Sequence, residues 1–79
     1  MDKVLSGASD NNIIFNDFRK FILYLGFKER IKGSHHIFTK EGIFEIINIQ
    51  SRGNLAKAYQ VKQVRDLIIK YKLNTNVNE

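Results

Sequence analysis

The sequence contains no cysteine, which excludes both a disulfide framework and a metal site built on thiolates. Its only two histidines, His35 and His36, are adjacent. Neighbouring side chains of a strand point to opposite faces, so this pair is not expected to share one metal ion. The sequence also lacks an apolar run near the ~18 residues of a membrane span and a basic-then-apolar signal pattern at its start. We therefore expect a cytoplasmic protein with no zinc site and no cofactor.

Positive charge is concentrated in one part of the chain. The 79 residues carry a net charge of +5, and 43% of them are hydrophobic, which suits one small globular domain. Residues 1–27 are neutral, whereas residues 28–72 hold ten basic side chains against four acidic ones. This balance favours a polyanionic partner: nucleic acid, an anionic membrane or an acidic protein. A basic surface that serves only solubility is the alternative.

One helix, and the glycine that ends it, are predicted near the start of the chain. Residues 1–12 are rich in Ser, Asp, Asn and Gly, which indicates an extended or partly mobile segment, or a turn. Apolar side chains then recur at the spacing of one helical face, and the predicted helix runs from Asn16 to Leu25. Gly26 follows at the position where a left-handed backbone commonly ends a helix.

Three short strands are predicted in the middle of the chain. Apolar and charged residues alternate over Phe27–Lys32, which predicts a strand with one basic face. His35–Thr39 is predicted as the second strand, after a turn at Gly33-Ser34. The β-branched, apolar stretch Ile43–Ile49 is predicted as the third strand, after a turn at residues 40–42. Connections this short favour an antiparallel meander.

The rest of the chain is predicted as a polar loop over residues 50–58, a helix over Tyr59–Leu73 and a polar tail over residues 74–79. The resulting fold class is α+β, an α-β-β-β-α two-layer sandwich in which a three-stranded antiparallel sheet carries two helices on one face. The double-stranded-RNA-binding domain has the same element order. The predicted core consists of apolar side chains from both helices and the third strand: Phe18, Phe21, Ile22, Leu25, Ile46, Val64 and Ile68.

The segment around the histidines carries a resemblance to a known family. Leu25-Gly26-Phe27, then Gly33-Ser34-His35-His36-Ile37-Phe38, an apolar strand and an amphipathic C-terminal helix resemble the HicA (YcfA-like) toxins. These are mRNA interferases of type II toxin–antitoxin systems, with a fold like that of the double-stranded-RNA-binding domain. The resemblance implies that residues 1–79 form a single HicA-like domain with metal-independent endoribonuclease activity. It also implies that the partners are RNA and a HicB-like antitoxin. The lack of a long apolar run predicts no membrane partner, and the free chain is expected to be a monomer, although the sequence does not determine its oligomeric state.

The resemblance marks His35 as the catalytic residue. An imidazole gains and loses protons near neutral pH, so His35 suits general acid–base chemistry on an RNA phosphodiester. Basic side chains close to it are candidates for holding phosphate, although each is also explained as solvated surface charge. Ser34 either helps to position phosphate or simply forms the turn. The candidate RNA-binding residues are Lys32, Gly33, Ser34, Lys57 and Arg30.

Several alternatives remain open from the sequence. His36 is expected to pack or hydrogen-bond beneath the sheet, which opposes an acid–base pair with His35. Tyr59 could stack on a base, donate a proton or cover the edge of the core. Ile69 lies off the apolar stripe of its helix and is expected to be exposed. Instead of a nuclease, the chain could be a catalytically inactive RNA-binding module like the double-stranded-RNA-binding domain, or a domain that binds only an acidic protein.

Overall fold

The computed structural model describes Val4, Gly7 and residues 10–73, and it shows an α+β domain with two helices, a three-stranded antiparallel sheet and a two-stranded sheet. The elements in chain order are a 3₁₀ turn at Asp10–Asn12, helix α1 (Phe15–Tyr24), strands β1 (Lys28–Lys32), β2 (His35–Thr39), β3 (Ile47–Ile49), β4 (Ser51–Arg52) and β5 (Leu55–Ala56), and helix α2 (Ala58–Tyr71). The predicted order of helix, three strands and helix is confirmed. The β4–β5 hairpin was not predicted. In the part of the chain that the structure describes, no helix is long and apolar enough to cross a membrane.

Helix α1 forms where the apolar spacing predicts it. Phe18, Phe21 and Ile22 are buried on one face, as expected for residues three and four positions apart. Gly26 has a φ of +98° and donates its backbone N–H to the Leu23 carbonyl at 3.0 Å. The predicted left-handed end of the helix is therefore confirmed, because that conformation costs glycine no steric strain.

The β1–β2 hairpin sets the register of the main sheet. Lys32 lies directly opposite His35, and only Gly33 and Ser34 connect the two strands. Gly33 has a φ of +60°, which a two-residue hairpin turn of type II′ requires at its first central position. Strand β3 pairs with the other side of β2 and places Ile47 opposite Phe38.

The pleat of the sheet separates a core face from an exposed face. Phe38, Ile47 and Ile49 are buried on the inner face and join the buried side chains of both helices in one hydrophobic core. Residues paired directly across two strands share a face. Along each strand, the residues between the inward-facing ones point to the other side of the sheet. We call this side the outer face; its residues are Lys28, Arg30, Lys32, His35, Ile37, Thr39 and Asn48.

The predicted third strand is wrong in both length and register. Only Ile47–Ile49 pairs with β2, while residues 43–46 have no regular structure. Ile46 was predicted in the core but is 64% exposed, and Phe44 is 93% exposed. A continuous apolar run does not indicate which alternate set of residues faces inward, and here the set that contains Ile47 and Ile49 was selected.

The predicted loop over residues 50–58 contains the β4–β5 hairpin instead. This hairpin is fastened to the segment that precedes α1. The backbone N–H of Phe15 donates to the Asn54 carbonyl at 2.9 Å, and the N–H of Ala56 donates to the Ile13 carbonyl at 2.8 Å. Helix α2 then begins at Ala58, one residue before the predicted start, and ends at Tyr71, two residues before the predicted end. Lys72 follows it in the left-handed conformation, with a φ of 52°.

The described part of residues 1–12 includes the 3₁₀ turn at Asp10–Asn12 and packs against α2. The Val4 side chain is fully buried. The Arg65 guanidinium donates to the Val4 carbonyl at 3.1 Å and forms an ion pair with Asp10 at 2.9 Å. Residues 1–3, 5, 6, 8 and 9 and the predicted tail over residues 74–79 lie outside the described part of the chain.

Candidate active site

Three of the predicted site residues share the outer face of the sheet. His35 is exposed at the first position of β2, and Lys32 occupies the paired position on β1. Side chains of such a pair have Cβ atoms about 4.5–5.5 Å apart. Arg30 lies two residues further along β1, opposite Ile37, and points to the same side. The hairpin therefore brings the imidazole and two exposed cations together by local geometry alone.

The imidazole of His35 is held by one neutral partner. Its Nδ1 lies 3.0 Å from Oδ1 of Asn48, which is on the neighbouring strand β3. An amide oxygen can only accept a hydrogen bond, so Nδ1 carries the proton and donates. In this tautomer Nε2 keeps its lone pair, and the described residues provide no hydrogen-bond partner for it. The ring is therefore oriented with a free basic nitrogen.

A cleft of about 350 Å³ adjoins His35 at the start of helix α2. Its lining is mostly polar and uncharged, with amide side chains, one aromatic ring and one exposed aliphatic side chain. The lining residues are His35, Ile46, Asn48, Gln50, Tyr59, Gln60 and Gln63. None of these lining residues is a carboxylate; Glu45 and Asp66 line an adjoining cleft that shares Ile46 and Gln63 with this one.

Gln50 joins two predicted site residues that are far apart in the sequence. Its Nε2 donates to Oγ of Ser34 at 2.8 Å. Its Oε1 accepts a hydrogen bond from Nζ of Lys57 at 3.3 Å. Lys57 immediately precedes α2, so this bridge links the β1–β2 turn to the start of that helix. The predicted residues Ser34 and Lys57 thus belong to one corner of the molecule, together with His35.

Gln60 is the buried polar residue that organises this corner. It is only 5% exposed, and all of its hydrogen-bonding groups are engaged. Its Nε2 donates to the Asn48 carbonyl at 3.4 Å and to the Tyr59 hydroxyl at 3.2 Å, and its Oε1 accepts from the Gln50 N–H at 3.1 Å. Gln60 therefore fixes the start of α2 against β3 and holds the Tyr59 hydroxyl in place.

A second and larger cleft, of about 630 Å³, lies beside the first and shares Tyr59 with it. Arg52 and Lys57 supply the basic side chains among the lining residues. The first backbone N–H groups of a helix have no partner within that helix and carry its positive dipole end. The start of α2 at Ala58, next to Lys57, consequently favours a negatively charged group.

Gly33 contributes through its backbone conformation. A Cβ atom added there would meet no atom within 4 Å, so close packing does not require glycine. The φ of +60° does require it, because L side chains rarely adopt that value. Any side chain at this position would strain the turn that sets Lys32 opposite His35.

His36 belongs to a different cluster on the inner face. Its Nδ1 lies 2.8 Å from Oε2 of Glu29, which also accepts from Nε of Arg19 at 2.5 Å. The ring packs edge-on against Phe15 of α1, with centroids 4.9 Å apart. The hydrogen bond from Arg19, and then that from His36, lower the pKa of the Glu29 carboxyl. The predicted position of His36 beneath the sheet is confirmed, and the two histidines face opposite sides.

Three residues of this corner, Asn48, Gln50 and Gln60, were not predicted from the sequence. Gln60 does leave a signal, since it stands four residues before Val64 and eight before Ile68, where the helical stripe is otherwise apolar. Among the residues that the structure describes, no group of three or more His, Asp or Glu side chains is placed to hold a metal ion. No family model, no curated protein and no solved structure matches the chain.

Proposed function

We propose that this protein is a metal-independent endoribonuclease, an mRNA interferase toxin of the HicA type, in which His35 is the general acid or base. The observation that carries the proposal is the state of the His35 ring: exposed, fixed at Nδ1 by Asn48, and without a partner at Nε2 among the described residues. That the chain has the HicA fold, a two-layer sandwich like that of the double-stranded-RNA-binding domain, is part of the same proposal.

The proposed reaction is transfer of an RNA phosphodiester to the neighbouring ribose oxygen. Nε2 of His35 accepts the proton of the 2′-OH, and the 2′-oxygen forms a bond to phosphorus. The bond from phosphorus to the 5′-oxygen breaks, that oxygen takes a proton from water, and the protonated His35 ring returns its own proton to the resulting hydroxide. The products are a 2′,3′-cyclic phosphate and a 5′-hydroxyl. Charge that builds on the phosphate oxygens in the transition state requires nearby cations.

The basic residues around His35 are suited to that charge. Lys32 lies directly across the hairpin, and Arg30 follows on the same face. Lys57 reaches the same corner through its hydrogen bond to Gln50. In the proposed complex these three side chains hold the RNA backbone, while Gly33 and Ser34 shape the approach to His35. A HicB-like antitoxin that covers this corner in the cytoplasm would keep a monomeric toxin inactive.

A second candidate function is that of an RNA-binding module without catalysis. The observation that favours it is the row of exposed cations on β1, Lys28, Arg30 and Lys32, which attract phosphate whether or not His35 reacts. Binding of this kind weakens as salt rises, because condensed counterions are released on association.

Cleavage of a long unstructured RNA in EDTA distinguishes the two functions. The intact protein, His35→Ala and the neighbouring control His36→Ala are incubated with the RNA, and the products are resolved on a gel and analysed for 2′,3′-cyclic phosphate ends. The nuclease proposal predicts cleavage by the intact protein and by His36→Ala, and none by His35→Ala. Undiminished cleavage by His35→Ala contradicts the assigned base. Salt-sensitive binding without cleavage by any variant identifies the binding module.

A further inference from the structure

Tyr59 combines exposure with an anchored hydroxyl. The residue is 60% exposed, although tyrosine is a large and mostly apolar side chain. Its hydroxyl accepts a hydrogen bond from the buried amide of Gln60 at 3.2 Å. An exposed ring that is fixed at one end loses little further freedom when another planar group stacks on it. Tyr59 therefore has the properties of a stacking platform.

The cleft below this ring offers hydrogen-bonding groups that other residues do not use. Asn48 directs its Oδ1 to His35, which leaves its Nδ2 donors without a partner among the described residues. The exposed amide of Gln63 lines the same cleft and likewise forms no hydrogen bond to a described residue. Amide groups match the donors and acceptors on the edge of a nucleobase, and an aromatic ring matches its face.

We infer that this cleft is a subsite for one unpaired nucleobase, stacked on Tyr59 and hydrogen-bonded at its edge by Gln63 and Asn48. The inference rests on the proposed function, since it assumes that RNA is the ligand. The volume of about 350 Å³ lies within the range of ligand pockets, about 300–1,000 Å³. The neutral lining separates this subsite from the cations that hold the backbone, Lys32 and Lys57.

The subsite defines the class of substrate. A base within a duplex is already stacked and paired, so it cannot lie on Tyr59 unless its stacking and pairing are first broken. An unpaired base needs no such step. The base in the cleft adjoins His35, so the phosphodiester beside an unpaired nucleotide is the one presented to the imidazole. The protein should therefore select single-stranded RNA, whereas recognition by phosphate contacts alone would accept a duplex.

The test is the affinity of the intact protein for a short, unstructured 2′-fluoro RNA, measured by fluorescence anisotropy. This RNA has no 2′-OH and stays uncut whether or not the protein is a nuclease. Tyr59→Leu should weaken binding about tenfold, because a base that stacks on an aromatic ring loses that contact when the ring is replaced by an aliphatic side chain. Tyr59→Phe, which keeps the ring, should stay within about twofold of the intact protein, and Gln63→Ala should weaken binding about threefold.

Two controls isolate stacking from other effects. Tyr24 of α1 is similarly exposed but lies away from the cleft, so Tyr24→Leu should bind like the intact protein. An oligonucleotide of the same length with abasic residues should bind more weakly to the intact protein and equally to all variants. Circular dichroism establishes that each variant is folded. If Tyr59→Leu does not fold, the comparison of normal with abasic RNA on the intact protein still decides the matter.

The outcomes separate this inference from the proposed function. Equal affinity for normal and abasic RNA, or unchanged binding by folded Tyr59→Leu, overturns the nucleobase subsite and leaves RNA binding in place. Equal affinity for the single strand and for a duplex of the same sequence overturns it as well. Absence of binding to every RNA at low salt overturns both the subsite and the proposed function. A loss that depends on both the ring and the base supports the subsite.

Discussion

His35 and His36 are neighbours in the sequence, yet the fold gives them opposite surroundings. His35 is exposed on the outer face, beside a neutral cleft, and has a single amide partner. His36 is partly buried on the inner face, bonded to Glu29 and packed on Phe15. The alternation of side chains along β2 is sufficient to produce this difference. The same residue type is thus exposed and hydrogen-bonded to one amide on one face, and joins the helix to the sheet on the other.

The comparison shows why an unpaired imidazole is informative. The ring of His36 has a structural role, because it joins the sheet to helix α1 through Glu29 and Arg19. His35 fixes no helix and covers no core residue, and its remaining nitrogen is free among the described residues. A side chain that is oriented but contributes little to the fold is the one to assign to function.

The largest effect is expected when each histidine is replaced in turn. His35→Ala should lower the cleavage rate about 100- to 10,000-fold, the usual contribution of a general acid or base, and leave the free energy of unfolding within about 0.5 kcal/mol. His36→Ala should reduce that free energy by about 1–2 kcal/mol and keep cleavage by the folded protein. Single-turnover cleavage and urea denaturation measure the two quantities. Loss of cleavage in folded His36→Ala would break the comparison.

Asn48 is expected to give the next largest effect, because it holds Nδ1 of His35 at 3.0 Å. Asn48→Ala should slow cleavage about fivefold at saturating RNA, since the ring loses a hydrogen bond of about 1 kcal/mol that selects its tautomer. At saturating RNA, Asn48→Asp should retain more activity than Asn48→Ala, because a carboxylate also accepts the Nδ1 proton. Its affinity for RNA should fall, because the carboxylate replaces the Nδ2 donors and adds negative charge to the cleft. Wild-type rates for Asn48→Ala would mean that the tautomer is not set by this contact.

On the other face, Glu29 should affect stability rather than cleavage. Glu29→Gln weakens the hydrogen bonds to Arg19 and His36 and should lower the free energy of unfolding by about 1–2 kcal/mol. Glu41→Gln, at an exposed turn residue with no ion pair in the described part of the chain, is the matched control and should change it by less than about 0.5 kcal/mol. Equal urea midpoints for the two variants would contradict the role assigned to Glu29.

Acid titration should give the smallest effect. Hydrogen bonds from Lys70 (2.6 Å) and then from the Tyr71 hydroxyl lower the pKa of Glu45 to about 2, and Arg19 lowers that of Glu29. A lowered native pKa stabilises the fold above the unfolded value of about 4.3, and that contribution disappears as pH falls toward the native value. The melting temperature should therefore decline between about pH 5 and pH 2.

The control for the acid titration is Glu45→Gln. This variant should show a shallower decline in melting temperature over the same pH interval, because it lacks one of the two carboxyls whose pKa is lowered in the fold. The exposed position of Lys70 keeps the expected difference small. A decline identical to that of the intact protein would show that the Glu45 contacts contribute nothing to stability in solution.

Most of the fold could be predicted where the signal is local. The bounds of β2 and the left-handed Gly26 follow from residues next to each other in the sequence. The register of residues 43–49 could not be predicted, because both the odd-numbered and the even-numbered positions contain apolar side chains. Only packing against the helices buries Ile47 and Ile49 and leaves Ile46 exposed. The β4–β5 hairpin was missed because its strands are two residues long and depend on backbone partners near Ile13.

The site divides in the same way. Lys32 and His35 were predictable neighbours, because a two-residue turn places them opposite each other. Asn48, Gln50 and Gln60 were not, because their partners come from other elements: His35 for Asn48, Ser34 and Lys57 for Gln50. Isolated amide side chains carry no periodic pattern, and only tertiary packing shows that they converge on one cleft.

The pairing of Ile14 with Leu55 joins segments that lie half the chain apart. Tyr59 follows shortly after Leu55 and lines the cleft opposite the sheet residues His35 and Asn48. The cleft is therefore complete only when the chain between Ile14 and Leu55 has closed into a loop. Closing a long loop costs entropy before the contacts repay it, which slows folding compared with a helical domain of equal size. A nascent chain therefore has no finished cleft: the histidine hairpin is synthesised before helix α2, whose Tyr59 and Gln63 form the other side of the cleft.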